Sequence, residues 1–286
     1  MPSDHLSSIM HYGLDALKAT GAQLFLLLGP LVLLALMLHF VSSGLRHLGF
    51  SAFGEKGFIY GFKLIGTPIH ELGHVVFAAL FGHRIVGVKW FDPKGKGGTY
   101  GHVKTRYNQR NPFHQIGLFF SGIGPVLMCA IMLYLITWLL FDTHVHHLFP
   151  LAITPETFVS FSAAAPLANG IIEAVREINA LLFLHAEQQW WKTALFLYLF
   201  FSIGSSMTLS PPDIKLATKG FVFLTVLLLL INLVTFWTGI HLHALFSRAV
   251  PYISAFLAVM VMALITQLLF ALVLALIGFV KTLFIK

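Results

Sequence analysis

His70-Glu71-Leu72-Gly73-His74 is the segment of this 286-residue chain whose residue types and spacing can do chemistry. On a helix, side chains four apart stack on one face, so the two imidazoles can ligate one metal ion. Glu71, one position on, can reach a water held at that ion and serve as general base in a metal-assisted hydrolysis. The single cysteine, Cys129, excludes disulfide frameworks and cysteine-based zinc or iron-sulfur sites, so a metal here must use His, Asp or Glu. Two imidazoles are two ligands, whereas a catalytic zinc usually takes three from the protein and leaves a fourth position for water.

The third ligand has to come from the remaining acidic residues. Of the 11 Asp and Glu, seven fall in the N-terminal segment or in polar connections, which leaves Asp213, Glu173 and Glu177 besides Glu71. Asp213 lies in Ser206-Met-Thr-Leu-Ser210-Pro-Pro-Asp213, between two apolar runs. Ser210 suits an N-cap, Pro211 the first helical position, and Asp213 the first turn, where its carboxylate meets free amides. Simple capping is therefore the competing role for Asp213. Glu173 and Glu177 flank Arg176 on a stretch with a plausible solvated face. Asp213 is the preferred ligand and the two glutamates are the alternatives.

The elements that must position these groups are membrane helices. Apolar residues make up 57% of the chain and charged residues only 10%, against roughly 25% charged in soluble domains. The apolar residues run for about 20 positions at a time, enough for a helix to cross a ~30 Å hydrocarbon core. The sequence predicts an all-α polytopic membrane protein with about six transmembrane helices, over residues 22–41, 58–82, 114–141, 191–209, 220–240 and 252–280. The first run is too long for a signal-peptide core and reads as a retained span. Three ionisable groups within five positions of the second span are costly in a bilayer, roughly 2.5 to 3.5 kcal/mol each on insertion scales, and zinc binding can offset that cost.

The net charge of +7 reports topology rather than a nucleic-acid partner. With a cytoplasmic N-terminus, the loops on that side carry 12 Lys and Arg against five opposite, which favours both termini in the cytoplasm. A bacterial cytoplasmic membrane is the expected location. Between spans 2 and 3, the runs Ile85-Val-Gly-Val-Lys-Trp-Phe91 and Thr99-Tyr-Gly-His-Val-Lys-Thr-Arg-Tyr107 flank a Pro/Gly-rich turn and predict a small β-hairpin at the cytoplasmic surface. A substrate helix must unwind to expose its amides, so it is expected to dock as a strand on the edge that carries Val86, Val88 and Trp90. Gly122 and Gly124, at the start of the third span, allow close approach beside the zinc helix and are further candidates for the substrate side. The connection 142–190 carries His144, His146 and His147 and then a stretch read as an interfacial helix.

In this order, His70-Glu71-x-Gly73-His74, a small surface sheet, Ser121-Gly-Ile-Gly124-Pro125 and a Pro-rich segment offering Asp213 resemble the site-2 protease family of intramembrane zinc metalloproteases, over roughly residues 58–219. The resemblance implies one zinc per chain held by His70, His74 and Asp213, with Glu71 as catalytic base. It also implies substrates that are single-pass membrane proteins or signal-peptide remnants. The chain then divides into residues 1–57, an N-terminal segment with the first span; residues 58–219, a catalytic membrane core; and residues 220–286, two C-terminal spans. Three other readings compete. A surface-site HExxH membrane protease would take Glu173 or Glu177 as its third ligand. A di-iron lipid desaturase would need an H-x-x-H-H box that His144-Val-His146-His147 does not complete, and it would leave Glu71 without a role. A non-catalytic membrane protein would use its His pairs, including His241 and His243, to sense or move metal.

Overall fold

The computed structural model describes residues 2–95, 99–141, 189–238 and 243–284, with isolated positions between 165 and 183. The chain opens with α1, Pro2–Phe58, which continues without a loop into a π-helical turn, Ile59–Lys63, and then α2, Leu64–Leu80. The break in this long run is at Gly54, with φ 72° and ψ 160°, a conformation open to glycine because it has no Cβ. α2 ends on Gly82, at φ 73°, and the amides of Gly82 and His83 return to the carbonyls of Ala79 and Ala78. Two antiparallel strands follow, β1 (Arg84–Lys89) and β2 (His102–Arg106), paired from Arg84 against Arg106 to Lys89 against His102 with a bulge between Ile85 and Gly87. The further helices given end to end by the described residues are α3 (Pro112–Phe141), α4 (Trp190–Gly204), α5 (Pro211–Thr238) and α6 (His243–Phe284).

The expected hairpin is present, between α2 and α3. Among the described residues, four helical stretches are long and apolar enough to cross a membrane: Met10–Leu80, Pro112–Phe141, Pro211–Thr235 and Ala255–Val280. The first, at 71 residues, contains two of the expected spans on either side of the Gly54 break. The run expected to span at 191–209 forms a helix of only 15 residues, about 22 Å long, because the chain leaves the helix at Ser205 on its way to the Asp213 segment. Apart from isolated helical positions between 165 and 183, the connection from 142 to 188, with His144, His146 and His147, lies outside the described residues, as do His241 and the side chain of His243.

α3 is the central element and packs against α2 on one side and α5 on the other, while α1 packs mainly on α6. The main apolar core joins α1, α3, α4 and α6 through fully buried Leu38, Leu133, Phe200 and Leu257. At about 25 cal/mol per Å² of apolar surface removed from contact with solvent, such side chains dominate assembly in water, but within a bilayer, shape and close contact carry more of the weight. The helix contacts around the His-Glu segment show this. A Cβ placed on Gly73 would lie 2.4 Å from the carbonyl oxygen of Gly124, and one on Gly122 would lie 2.6 Å from the amide nitrogen of Ala217 and 2.7 Å from the carbonyl oxygen of Asp213. α2, α3 and α5 therefore meet backbone to backbone, which brings the first turn of α5 to the His70–His74 face.

Candidate metal centre

The helical spacing places His70 and His74 on one face of α2, with ring centroids 5.3 Å apart. Each ring is oriented by its Nδ1. The Nδ1–H of His70 donates to the Ser206 carbonyl and that of His74 to the Ser121 carbonyl, both at 2.8 Å. A carbonyl can only accept, so both imidazoles carry their proton on Nδ1 and turn the Nε2 lone pair toward the site. Support of this kind holds metal-binding histidines in one tautomer and one rotamer.

Asp213 reaches both rings. Its Oδ1 is 3.2 Å from His74 Nε2, and its Oδ2 is 4.0 Å from His70 Nε2. The donor atoms of His70, His74 and Asp213 lie within 4.8 Å of one another, and Asp213 is buried. With metal–ligand bonds near 2.0–2.1 Å, tetrahedral ligands sit about 3.3 Å apart, so small side-chain adjustments close this triad on one ion. Asp213 also does what its position in the sequence predicts. α5 begins at Pro211, and the amide and hydroxyl of Ser210 donate to Asp213 Oδ2 at 2.8 and 2.6 Å. Capping and ligation are thus not alternatives: the helix start immobilises the carboxylate while Oδ1 stays on the histidine side.

Glu71 is only 4% exposed, lines the same cavity, and keeps Oε2 buried without a hydrogen-bond partner in the protein. A buried carboxylate oxygen is costly to leave unpaired, and it fits a group that exchanges protons with something bound beside it. The cavity is about 620 Å³. Its walls are the Thr67–His74 face of α2, the start of α5, the Ser206–Ser210 turn and the segment from Thr99 through β2. Gly101 closes directly over Glu71: a Cβ there would lie 2.7 Å from its Cγ and Oε1.

The structure brings together His70, Glu71, His74 and Asp213, and sets Gly124 against α2 and Gly122 against α5 as helix-packing contacts. It places Val86 on β1 and Trp90 just after it, both half-exposed and off the cavity, and Val88 of β1 likewise does not line it; β2 borders the site instead. Glu173 pairs with Arg176 at 2.7 Å on an exposed surface and Glu177 is also exposed, so neither joins the triad. The contributions of Ser121 and Ser206 were not visible in the sequence, because they act through backbone carbonyls that every residue has. The weak signal for Gly101 was a glycine inside a strand-like run, which marks a close approach. Comparison with known proteins yields no relative: no family model, no curated protein and no solved structure matches the chain.

Proposed function

We propose that the chain is an intramembrane zinc metallopeptidase of the site-2 type, hydrolysing peptide bonds of membrane-embedded protein substrates. The observation that carries the reading is the pairing of a two-imidazole, one-carboxylate donor set with Glu71, which lines the same cavity and has a buried oxygen without a hydrogen-bond partner in the protein. The same donor set serves non-haem iron oxygenases, but an adjacent carboxylate base has no task there, whereas hydrolysis needs one.

His70 and His74 offer Nε2 and Asp213 offers Oδ1, each held by hydrogen bonds to atoms that are themselves fixed. When bound, the zinc supplies Lewis acidity to the scissile carbonyl and lowers the pKa of water toward about 7. Glu71 accepts the water proton at its carboxylate and returns it to the leaving nitrogen, which leaves as an amine. The cavity accommodates several residues of an unwound chain, and β2 lies alongside it to receive that chain as a strand. On this reading the bundle has six spans, the hairpin lies at the cytoplasmic surface, and water enters from that side.

Metal analysis of the purified, detergent-solubilised protein tests the reading together with cleavage of a transmembrane peptide. The expected result is one zinc per chain, lost in Asp213→Ala and kept in Glu71→Gln, with hydrolysis reduced about 10²- to 10⁴-fold by the latter. Iron in place of zinc, or full hydrolysis by Glu71→Gln, sinks it.

A further inference from the structure

The cavity holds a buried lysine that the hydrolytic scheme does not use. Lys63 is 9% exposed, lines the cavity beside Thr67 and His70, and closes the π-helical turn that precedes α2. Single π-turns inside helices occur frequently at functional sites. Its Nζ donates to the Ser205 carbonyl at 2.6 Å and the Ser205 hydroxyl at 3.1 Å; that hydroxyl in turn donates to Ser202. An ammonium has three donors, so one remains for the cavity. Among the described residues no carboxylate pairs with Lys63. The described acidic side chains in the cavity, Glu71 and Asp213, are committed to the metal centre, whereas its other charged side chains are Lys63 and Lys104. An ionisable group at membrane depth is expensive and is expected to have an ionic partner. Among the described residues none supplies it, and Lys63 lines the cavity in which a substrate of the proposed reaction would lie.

We infer that Lys63 is a specificity-determining residue, binding a carboxylate of the peptide that enters the cavity: an acidic side chain near the scissile bond, or the free C-terminus. The inference rests on the peptidase reading for the nature of the ligand. Ser205 and Ser206 are consecutive, and their carbonyls hold Lys63 and His70, so the carboxylate subsite and the metal centre are fixed to the same turn and keep a constant offset. That offset selects where along the substrate the carboxylate must stand relative to the bond that is cut. The competing role is structural: Ser205 is the C-cap of α4, and a lysine there neutralises the helix end.

Binding separates the two, and it does not depend on turnover. In the Glu71→Gln protein in detergent, fluorescence anisotropy reads the affinity of a set of otherwise identical peptides. Each carries Glu or Gln at one successive position, with the C-terminus as acid or amide. The expected result is one position, or the C-terminus, at which the acid binds about tenfold tighter than its amide, as a charge-assisted hydrogen bond gives. Lys63→Gln keeps a donor for Ser205, and there the ratio falls to about one without loss of amide-peptide binding; Lys63→Arg retains the preference. Equal affinity for acids and amides overturns the inference, as does a Lys63→Gln variant that weakens both alike. With the unaltered chain, carbodiimide coupling of the preferred acidic peptide is expected to map to Lys63 by mass spectrometry, and coupling only to Lys104 overturns it, so the test survives a variant that does not fold. A carboxylate preference without any hydrolysis sinks the peptidase reading and leaves the subsite; hydrolysis blind to the carboxylate does the reverse.

Discussion

On its helical side the cavity is walled by backbone set against backbone, with Gly73 of α2 on Gly124 of α3 and Gly122 of α3 on the first turns of α5. On its other side it is walled by β2, the five-residue strand of a small hairpin that has a bulge in β1 and an ion pair, Lys89–Asp92, at the surface away from the cavity. The difference separates two requirements. Metal ligands must be held to fractions of an ångström, and packed helices have discrete arrangements rather than a continuum. A substrate wall has to accept a chain and release it, which suits an element with few buried contacts.

The largest effect expected is at Gly73→Ala. Its Cβ would meet the Gly124 carbonyl, which belongs to a helix backbone and cannot turn away. Parting α2 from α3 costs about 1–3 kcal/mol or more and moves His74 off Asp213, so the thermal midpoint and the bound metal fall together. A variant that keeps both would break the comparison, because the helical wall would then have slack. Ser210→Ala removes one of the two donors to Asp213 Oδ2 and leaves the fold intact. A 10- to 100-fold weaker metal affinity, measured by chelator competition, is the magnitude typical of losing such a support.

Gly101→Ala sharpens the contrast from the hairpin side. Its Cβ would meet the Glu71 side chain, which is flexible, rather than a backbone. Hydrolysis is expected to drop about tenfold while metal content and the thermal midpoint stay put, since misplacing a base by about 1 Å is costly to chemistry alone. If the midpoint falls as far as for Gly73→Ala, the hairpin is as rigid as the helices. The smallest effect is at Lys89→Gln. Lys89 beside Asp92 holds that carboxyl below the ordinary carboxylate range. Its lowered folded pKa means the pair contributes only above the ordinary Asp range and fades as pH falls through the folded value. For a pair this exposed, the substitution leaves the thermal midpoint unchanged at neutral pH, and carboxyl NMR shows Asp92 titrating at a higher pH than before.

How much of this was legible in the sequence depends on how local each feature is. His70, Glu71 and His74 could be read because the α-helical period alone puts them together, and the hairpin because a turn joins neighbouring runs. Asp213 could be reached only by elimination, and the structure brings it to the two histidines by setting the start of α5 beside α2. The strand edge was harder. β2 alternates between exposed and half-buried positions and β1 does so up to Gly87, so nothing in the pattern says which of them faces the site. For Lys63 the signal was a cation inside an apolar run, which marks an unusual residue without saying what surrounds it.

The sequence by itself determined that this is a chain of long apolar helices carrying two imidazoles and a carboxylate on one helical turn, because both facts follow from period and run length within single elements. Only the tertiary structure decided that Asp213 completes the triad, that the carbonyls of Ser121 and Ser206 set the two histidine tautomers, and that β2 rather than β1 closes the cavity. The physical reason lies in the helices themselves. A helix that is apolar nearly all round has no polar stripe to say which face turns inward, so its partners are chosen by the close fit of small residues such as Gly73 and Gly124, and that fit exists only once the backbones meet.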